Sequence, residues 1–130
     1  MSIRQTTVEL RVRYAECDPM NVAHHAAYPV WLEIARTELL RQQGVAYRDL
    51  EAQGVFFVVA RMSIRYRKPA RYDDLLQVDV EAVGPAGVKV EHRYQIRRGD
   101  ELLATAETTL VCVDRQGKPQ RPPATVPPLA

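Results

Sequence analysis

Residues 14–41 read YAECDPMNVAHHAAYPVWLEIARTELLR, and the fold turns on them. The stretch opens on an acidic, proline-containing turn (Glu16-Cys17-Asp18-Pro19), passes two histidines, and becomes a long apolar-striped segment. Pro29 has no amide hydrogen and fits a helix only in the first turn, where that donor has no intrahelical partner, so the helix is expected to begin between His25 and Tyr28. Ala27, Val30, Trp31, Ile34, Ala35 and Leu39 recur at the spacing of one face; Glu33, Thr37 and Arg41 follow another line, and Leu32 and Leu40 widen the apolar surface. Gly44 is a natural stop, and 45–53 could form a short second helix ended by Gly54.

Outward from this segment the chain alternates as strands do. Before it, Val8, Leu10, Val12 and Tyr14 share one face, with Thr7, Glu9, Arg11 and Arg13 on the other. After it come four strand-like runs, at 55–67, 75–83, 88–97 and about 101–114. The first puts Phe56, Val58, Ala60, Met62, Ile64 and Tyr66 on one face, yet Phe57 and Val59 are apolar on the other, so it starts apolar on both sides. One helix layer covers only one face of a sheet, and a doubly apolar strand therefore points to a partner subunit. Leu76, Val78, Val80 and Ala82 face inward on the next run, then Val88, Val90, His92, Tyr94 and Ile96, then Ala104, Ala106, Thr108, Leu110 and Cys112. Turns are expected at 84–87 and at Gly99-Asp100. This is an α+β chain with a single long helix and an antiparallel sheet.

Size and composition narrow the possibilities further. A chain of 130 residues, 46% hydrophobic, suits one domain, and such a domain buries roughly 65–70% of its unfolded surface. Residues 1–117 are read as that domain and 118–130 as a proline-rich tail, since KPQRPPATVPPLA holds five of the nine prolines. The net charge of +2, from 18 basic and 16 acidic residues spread along the chain, gives no reason to expect nucleic acid. No run approaches the ~20 apolar residues that span a bilayer, so no membrane insertion is expected. Two cysteines, Cys17 and Cys112, form neither a disulfide framework nor a metal-ligand spacing, and with no secretory signal pattern the expected compartment is the reducing cytoplasm.

The candidate chemistry lies where the turn meets the helix. Asp-Pro commonly starts a turn, so Asp18 could be no more than a turn carboxylate; one loop ahead of a helix N-terminus, it could instead act on a carbonyl polarised by free amides. His24 and His25 are adjacent, their side chains diverge, and no other ligands support a metal; His25 is the better candidate because it sits at the expected helix start. Glu33 and Arg36 stand at the spacing of an ordinary surface ion pair. Arg61, Arg65, Arg67, Lys68 and Arg71 form either a solvated, edge-blunting face or a phosphate-binding surface.

Tyr14-x-Glu16-Cys17-Asp18-Pro19, His25-Ala26-Ala27-Tyr28 and Glu33-Ile34-Ala35-Arg36-Thr37-Glu38 resemble the acyl-CoA thioesterases of the 4-hydroxybenzoyl-CoA thioesterase superfamily. The run Lys68-Pro69-Ala70-Arg71-Tyr72-Asp73-Asp74-Leu75-Leu76 resembles the subgroup associated with the Tol-Pal cell-envelope system. The resemblance spans about residues 7–117 and implies the hotdog fold, a five- or six-stranded antiparallel sheet wrapped around one long helix, assembled as a homodimer or homotetramer. It implies that Asp18 is the catalytic nucleophile or general base and that the backbone amide at His25 holds the thioester oxygen. Arg61, Arg65, Lys68 and Arg71 would hold the phosphates of CoA, and Tyr28, Phe57 and Val59 would line the acyl site. No metal or redox cofactor is implied, CoA entering only within the acyl-CoA substrate. Many relatives have glycine where this chain has Asn21, and a second acid at Glu16 or Cys17, which bears on loop shape and acyl preference. The alternatives are a hotdog hydroxyacyl dehydratase, which would leave Asp18 without a role, a non-catalytic acyl-CoA sensor, and a scaffold of the envelope complex.

Overall fold

The computed structural model describes residues 4–123. Five strands form one antiparallel sheet, β1 (Gln5–Arg11), β2 (Phe56–Tyr66), β3 (Leu75–Ala86), β4 (Lys89–Arg98) and β5 (Glu101–Val113), in the order β1-β3-β4-β5-β2. The long helix α1 (Ala27–Gln42) lies against one face, and a short helix α2 (Tyr47–Ala52) follows it. This is the α+β hotdog architecture.

The helix begins where proline dictates: Pro29 is the third residue of α1, among the first-turn positions that need no amide donor. Its buried face differs from the expected one. Tyr28, Trp31, Leu32, Ala35, Arg36, Leu39 and Leu40 are buried, whereas Val30 and Ile34 are 47% and 43% exposed. The sheet contacts the line through residues 28, 32, 36 and 40 as well as the one through 31, 35 and 39, which turns Val30 and Ile34 toward solvent. Against this face stand Leu76, Val78, Val80, Tyr94, Ile96, Ala104 and Ala106, the inward positions of the three central strands. The alanines of β5 let the helix come close.

Two edges of the expected pattern shift. β1 ends at Arg11 and the chain turns at once, so Tyr14 opens a 3₁₀ turn (Tyr14–Glu16) and is 80% exposed rather than facing inward. β3 runs on to Ala86 across an irregularity, which leaves Gly87, at φ 63°, to make the hairpin.

The larger correction is in β2. Phe57 pairs with Cys112 and Val59 with Leu110, both buried on the helix side, while beyond a bulge at Ala60 the partners become Met62–Thr108, Ile64–Ala106 and Tyr66–Ala104. Cross-strand partners share a face, so Phe57 and Val59 lie on the same side as Met62 and Ile64, and Phe56 and Val58 lie with Arg61, Ser63 and Arg65 on the other. The extra residue resets the alternation. The proline-rich tail begins as a strap: Pro119 bridges Val113, and the Gln120 amide donates to the Cys112 carbonyl at 2.9 Å. Residues 124–130 lie outside the described residues.

Deleting Ala60 should restore unbroken alternation and turn Phe57 and Val59 off the helix side. Removing one such side chain from its packing is worth about 1.5–3 kcal/mol, so urea unfolding of the deletion variant should show stability lower by at least ~1.5 kcal/mol. An unchanged midpoint would mean that the bulge does not set the register.

Candidate active site

Asp18 stands in a small hairpin closed by a bridge between Cys17 and Ala23. Its Oδ1 accepts the amides of Met20 (2.9 Å) and Val22 (3.1 Å), and its own amide donates to the Val22 carbonyl at 2.9 Å. Asn21 turns the hairpin at φ 65°, the left-handed region that glycine enters freely and asparagine more readily than most residues. Asparagine thus keeps the turn that a glycine would make here. Asp18 Oδ2 makes no hydrogen bond among the described residues.

The hairpin is fastened on three sides. The His24 amide donates to the Glu16 carbonyl at 2.7 Å, the Ala23 amide to the Ala70 carbonyl at 2.8 Å, and Val22 bridges Arg71. Beneath it Glu16 is buried, accepting the Arg13 amide at 2.8 Å on Oε1 and the Trp31 indole N–H at 2.9 Å on Oε2, with the Arg13 guanidinium at 3.3 Å. Burial alone would raise the Glu16 pKa, but these three donors and the Arg13 charge outweigh it, and the carboxyl titrates below its ordinary value of 4.5. At Cys17 burial, followed by the charges of Glu16, Asp18 and Asp74, pushes the thiol up and so disfavours the nucleophilic thiolate.

Directly after the hairpin the helix starts. The Ala26 amide is taken by His24 Nδ1 at 3.0 Å, the Ala27 amide by the His24 carbonyl at 2.9 Å and the Tyr28 amide by the His25 carbonyl at 3.4 Å. The His25 amide is left without a partner among the described residues. Both histidine rings are exposed and stack on each other, centroids 4.1 Å apart. An unengaged carboxylate oxygen thus precedes an unengaged amide at a helix N-terminus, a pairing suited to attack on a carbonyl and stabilisation of the resulting oxyanion.

The other expected site residues are distributed unevenly. Tyr28 is only 2% exposed, packed against Trp31 and edge-on to Tyr66 at 4.9 Å, and burial pushes its phenol up. Phe57 sits at the far end of β2 beside Tyr47, with Leu40 and Leu50. Nine residues of strand, about 30 Å, separate it from Tyr66, so within one chain neither Phe57 nor Val59 reaches Asp18. Arg61 and Arg65 project from the face away from α1, among Glu91, Arg93 and Glu107 for the first and Asp79, Glu81 and Glu107 for the second. Lys68 is engaged with Glu101 at 2.9 Å. Arg71 alone of the four lies against the Asp18 hairpin, exposed and without an ion pair among the described residues. No group of three or more metal-ligating side chains occurs among the described residues.

Sequence reasoning missed Glu16 as an anchor and Arg36 as a buried residue. The first has no sequence signal beyond its place two residues before Asp18. The second does: Arg36 continues the four-residue line Tyr28, Leu32, Leu40 that the sheet covers.

The sheet and helix define a hotdog protein. A family model described as "Thioesterase-like superfamily" matches residues 12–129, and the chain belongs to that family. It is 37% identical over 109 residues to a putative acyl-CoA thioesterase, YneP, of Bacillus subtilis, covering 83% of this chain and 79% of that one. It is 38% identical over 106 residues to the acyl-CoA thioester hydrolase YbgC of Escherichia coli, covering 81% and 79%. A probable thioesterase from Bartonella henselae superposes with a TM-score of 0.86 at 31% identity, over 92% of this chain and 99% of that structure. No helix among the described residues is long and apolar enough to cross a membrane.

Glu16→Gln keeps the shape but removes the charge that three donors share. At neutral pH it should cost about 1–3 kcal/mol, the size of a charge-assisted hydrogen bond. Because the folded pKa is depressed, the charge stabilises the fold above pH ~4.5 and that contribution fades as pH falls through the folded value. Wild type and variant should therefore converge in stability as pH falls below that depressed folded value; a gap that stays constant through the acid range would show the charge to be irrelevant.

Proposed function

We propose that this protein hydrolyses acyl-CoA thioesters, with Asp18 as nucleophile or general base and the His25 amide as oxyanion donor. The observation that carries the proposal is the state of those two groups. One Asp18 oxygen is fixed by two backbone amides, the other is unengaged, and the next free amide along the chain, that of His25, lies just ahead of α1. The names of the relatives, acyl-CoA thioesterase and acyl-CoA thioester hydrolase, support the same reaction.

In the general-base form, Asp18 takes a proton from water as its oxygen adds to the thioester carbonyl carbon. The charge that develops on the carbonyl oxygen is held by the amide, and the intermediate collapses by breaking the C–S bond. The sulfur leaves as the thiol of CoA, taking up the proton. In the nucleophilic form the carboxylate itself adds, the C–S bond breaks to release the CoA thiolate, and water hydrolyses the anhydride, returning the carboxylate while the water's two protons go to the thiolate and the free acid. A preorganised oxyanion donor is worth about 3–4 kcal/mol and a positioned base about 10²–10⁴-fold in rate. Neither form uses a metal or redox cofactor.

The acyl site is assembled by two copies. β2 is an edge of the sheet, eleven residues long, with Val58 and Val59 each 47% and Tyr66 50% exposed. Such an edge calls for a cover, and antiparallel pairing of β2 with itself supplies one. That pairing sets Phe57 and Val59 of the partner subunit beside Tyr66 and Tyr28, which is how residues at opposite ends of one strand come to line one site. Pairing of such dimers into a tetramer fits the same design. Arg71 is the CoA-phosphate contact from the chain that carries Asp18, with Lys68, Arg61 and Arg65 contributing from the flanks. We further assign the chain to the Tol-Pal-associated subgroup on its Lys68–Leu76 run, and to the cytoplasm on its free cysteines.

Asp18→Asn retains the Oδ1 that the Met20 and Val22 amides require, so the hairpin should keep its shape while turnover, read as CoA release from short, long and aromatic acyl-CoA esters, falls at least ~100-fold. Equal turnover by wild type and variant would remove Asp18 from the mechanism. Binding without turnover on every ester would favour a sensor. Val59→Asp should shift the species in size-exclusion chromatography to monomer and reduce turnover more than tenfold, about 1.4 kcal/mol; an active monomer would refute the shared site.

A further inference from the structure

Apart from the Asp18 junction, the helix–sheet interface holds a second polar site. Arg36 lies on α1 with 7% exposure and His92 on β4 with 7%, and both line a cavity of about 30 Å³ beneath the C-terminal half of the helix. Arg36 Nη1 and His92 Nδ1 are buried and have no hydrogen-bond partner. Arg36 Nη2 reaches Glu33 Oε2 only at 3.9 Å, and the Glu33 side chain is 70% exposed. The Tyr47 and Tyr94 phenols lie within hydrogen-bonding reach of Arg36, yet no carboxylate is close and Nη1 stays unpaired, and a charge withdrawn from water without a close counter-ion costs several kcal/mol.

The cavity indicates the chemistry of that occupant. A single water needs about 10–15 Å³, so the enclosed space takes about two to three heavy atoms, the size of a carboxylate head, and any stem lies toward the rim. The unsatisfied donor of Arg36 calls for an anionic oxygen. His92 is neutral at physiological pH, since burial and then the Arg36 charge push it down to about 4, and a neutral imidazole can donate from Nδ1. Two donors in one cavity match the two oxygens of a carboxylate. Gln43 and Tyr47 also line the cavity, and its apolar members, Leu39, Phe57 and Leu110 among them, suit a short alkyl stem. Tyr47, Phe57 and Gly84 at the rim are half-buried, leaving a way in.

We propose that Arg36 and His92 form a binding site for a short-chain carboxylate, separate from the Asp18 junction. Ala27 and Arg36 are nine residues apart on one helix, about 14 Å, and the intervening face is filled by Trp31, Leu32 and Ala35, each at most 1% exposed. The site is therefore apart from the Asp18 junction of its own chain, although it shares Phe57 with the proposed acyl lining.

The test uses the full chain and propionate, with chloride at equal ionic strength as control. In wild type, propionate should raise the melting temperature saturably and shift the His92 ring resonances in NMR, while chloride does neither. Arg36→Met should keep the volume but weaken propionate binding at least about tenfold, the loss expected for a charge-assisted hydrogen bond. Arg36→Lys should recover part of it. Absence of both the melting shift and the His92 shift in wild type would overturn the proposal and leave the cavity to water; so would equal binding by Arg36→Met. Should Arg36→Met not fold, the wild-type titration of His92 decides alone. Neither readout depends on thioester hydrolysis.

Discussion

Glu16 accepts the Trp31 indole hydrogen from one side and the Arg13 amide from the other, and these bonds join the turn after β1 to the core-facing side of α1. Everything in the proposed site is referred to that join. Its carbonyl takes the His24 amide, so the segment after the Asp18 hairpin is held to the segment before it. Were the Glu16 carboxylate free in water, the hairpin would still close on its own Asp18 bonds and stay fastened at Ala70 and Arg71, but its tie to α1 through Trp31 would be lost. A carboxylate is suited to this place because it is acceptor-only and can serve several donors at once. The expense of burying it is met by hydrogen bonds, which is why its pKa falls although burial pushes the other way.

The same geometry explains which parts of the molecule were legible in the sequence. Pro29 located the helix start because missing a donor is a local property that holds in any context. The inward faces of β3, β4 and β5 were legible because period-2 alternation with charged outward positions admits one register. β2 was not. From Phe56 to Ala60 every residue is apolar, so both phases fit, and the single extra residue at Ala60 carries no chemical mark. The helix face was misjudged for a related reason: Val30 and Ile34 look like core by composition, and Arg36 looks like surface. Burial is decided by which line of the helix the twisted sheet contacts, and a sequence reports that only through positions such as Tyr28, Leu32 and Leu40, read together.

The site followed a similar division. Asp18 and the helix start came from residues adjacent in the chain, so their proximity needed no tertiary information. The basic residues and the acyl-lining residues were grouped by sequence neighbourhood along β2, where it misleads. Neighbours on a strand point to opposite faces, and a strand of eleven residues is about 35 Å long, longer than any substrate contact. Phe57 and Arg71 share a site only if the strand is met by another copy of itself, an arrangement that symmetry provides and a single chain cannot.

Among the described residues helix α1 is the one long helix against the sheet, and it must supply apolar surface to the sheet and an anchor for the turn that carries Asp18. Trp31 satisfies both demands at once, presenting its ring to the core and its N–H to Glu16. Arg36 satisfies neither. It occupies a core line, keeps one nitrogen unpaired, and faces a histidine that the same burial holds neutral. Hydrophobic residues of similar volume in place of a buried charge are often neutral or stabilising, so a chain shaped by folding alone would have had leucine or methionine here. The Tyr47 and Tyr94 phenols answer part of that charge, and the nitrogen still unpaired is the physical reason to look for a ligand at that end of the helix.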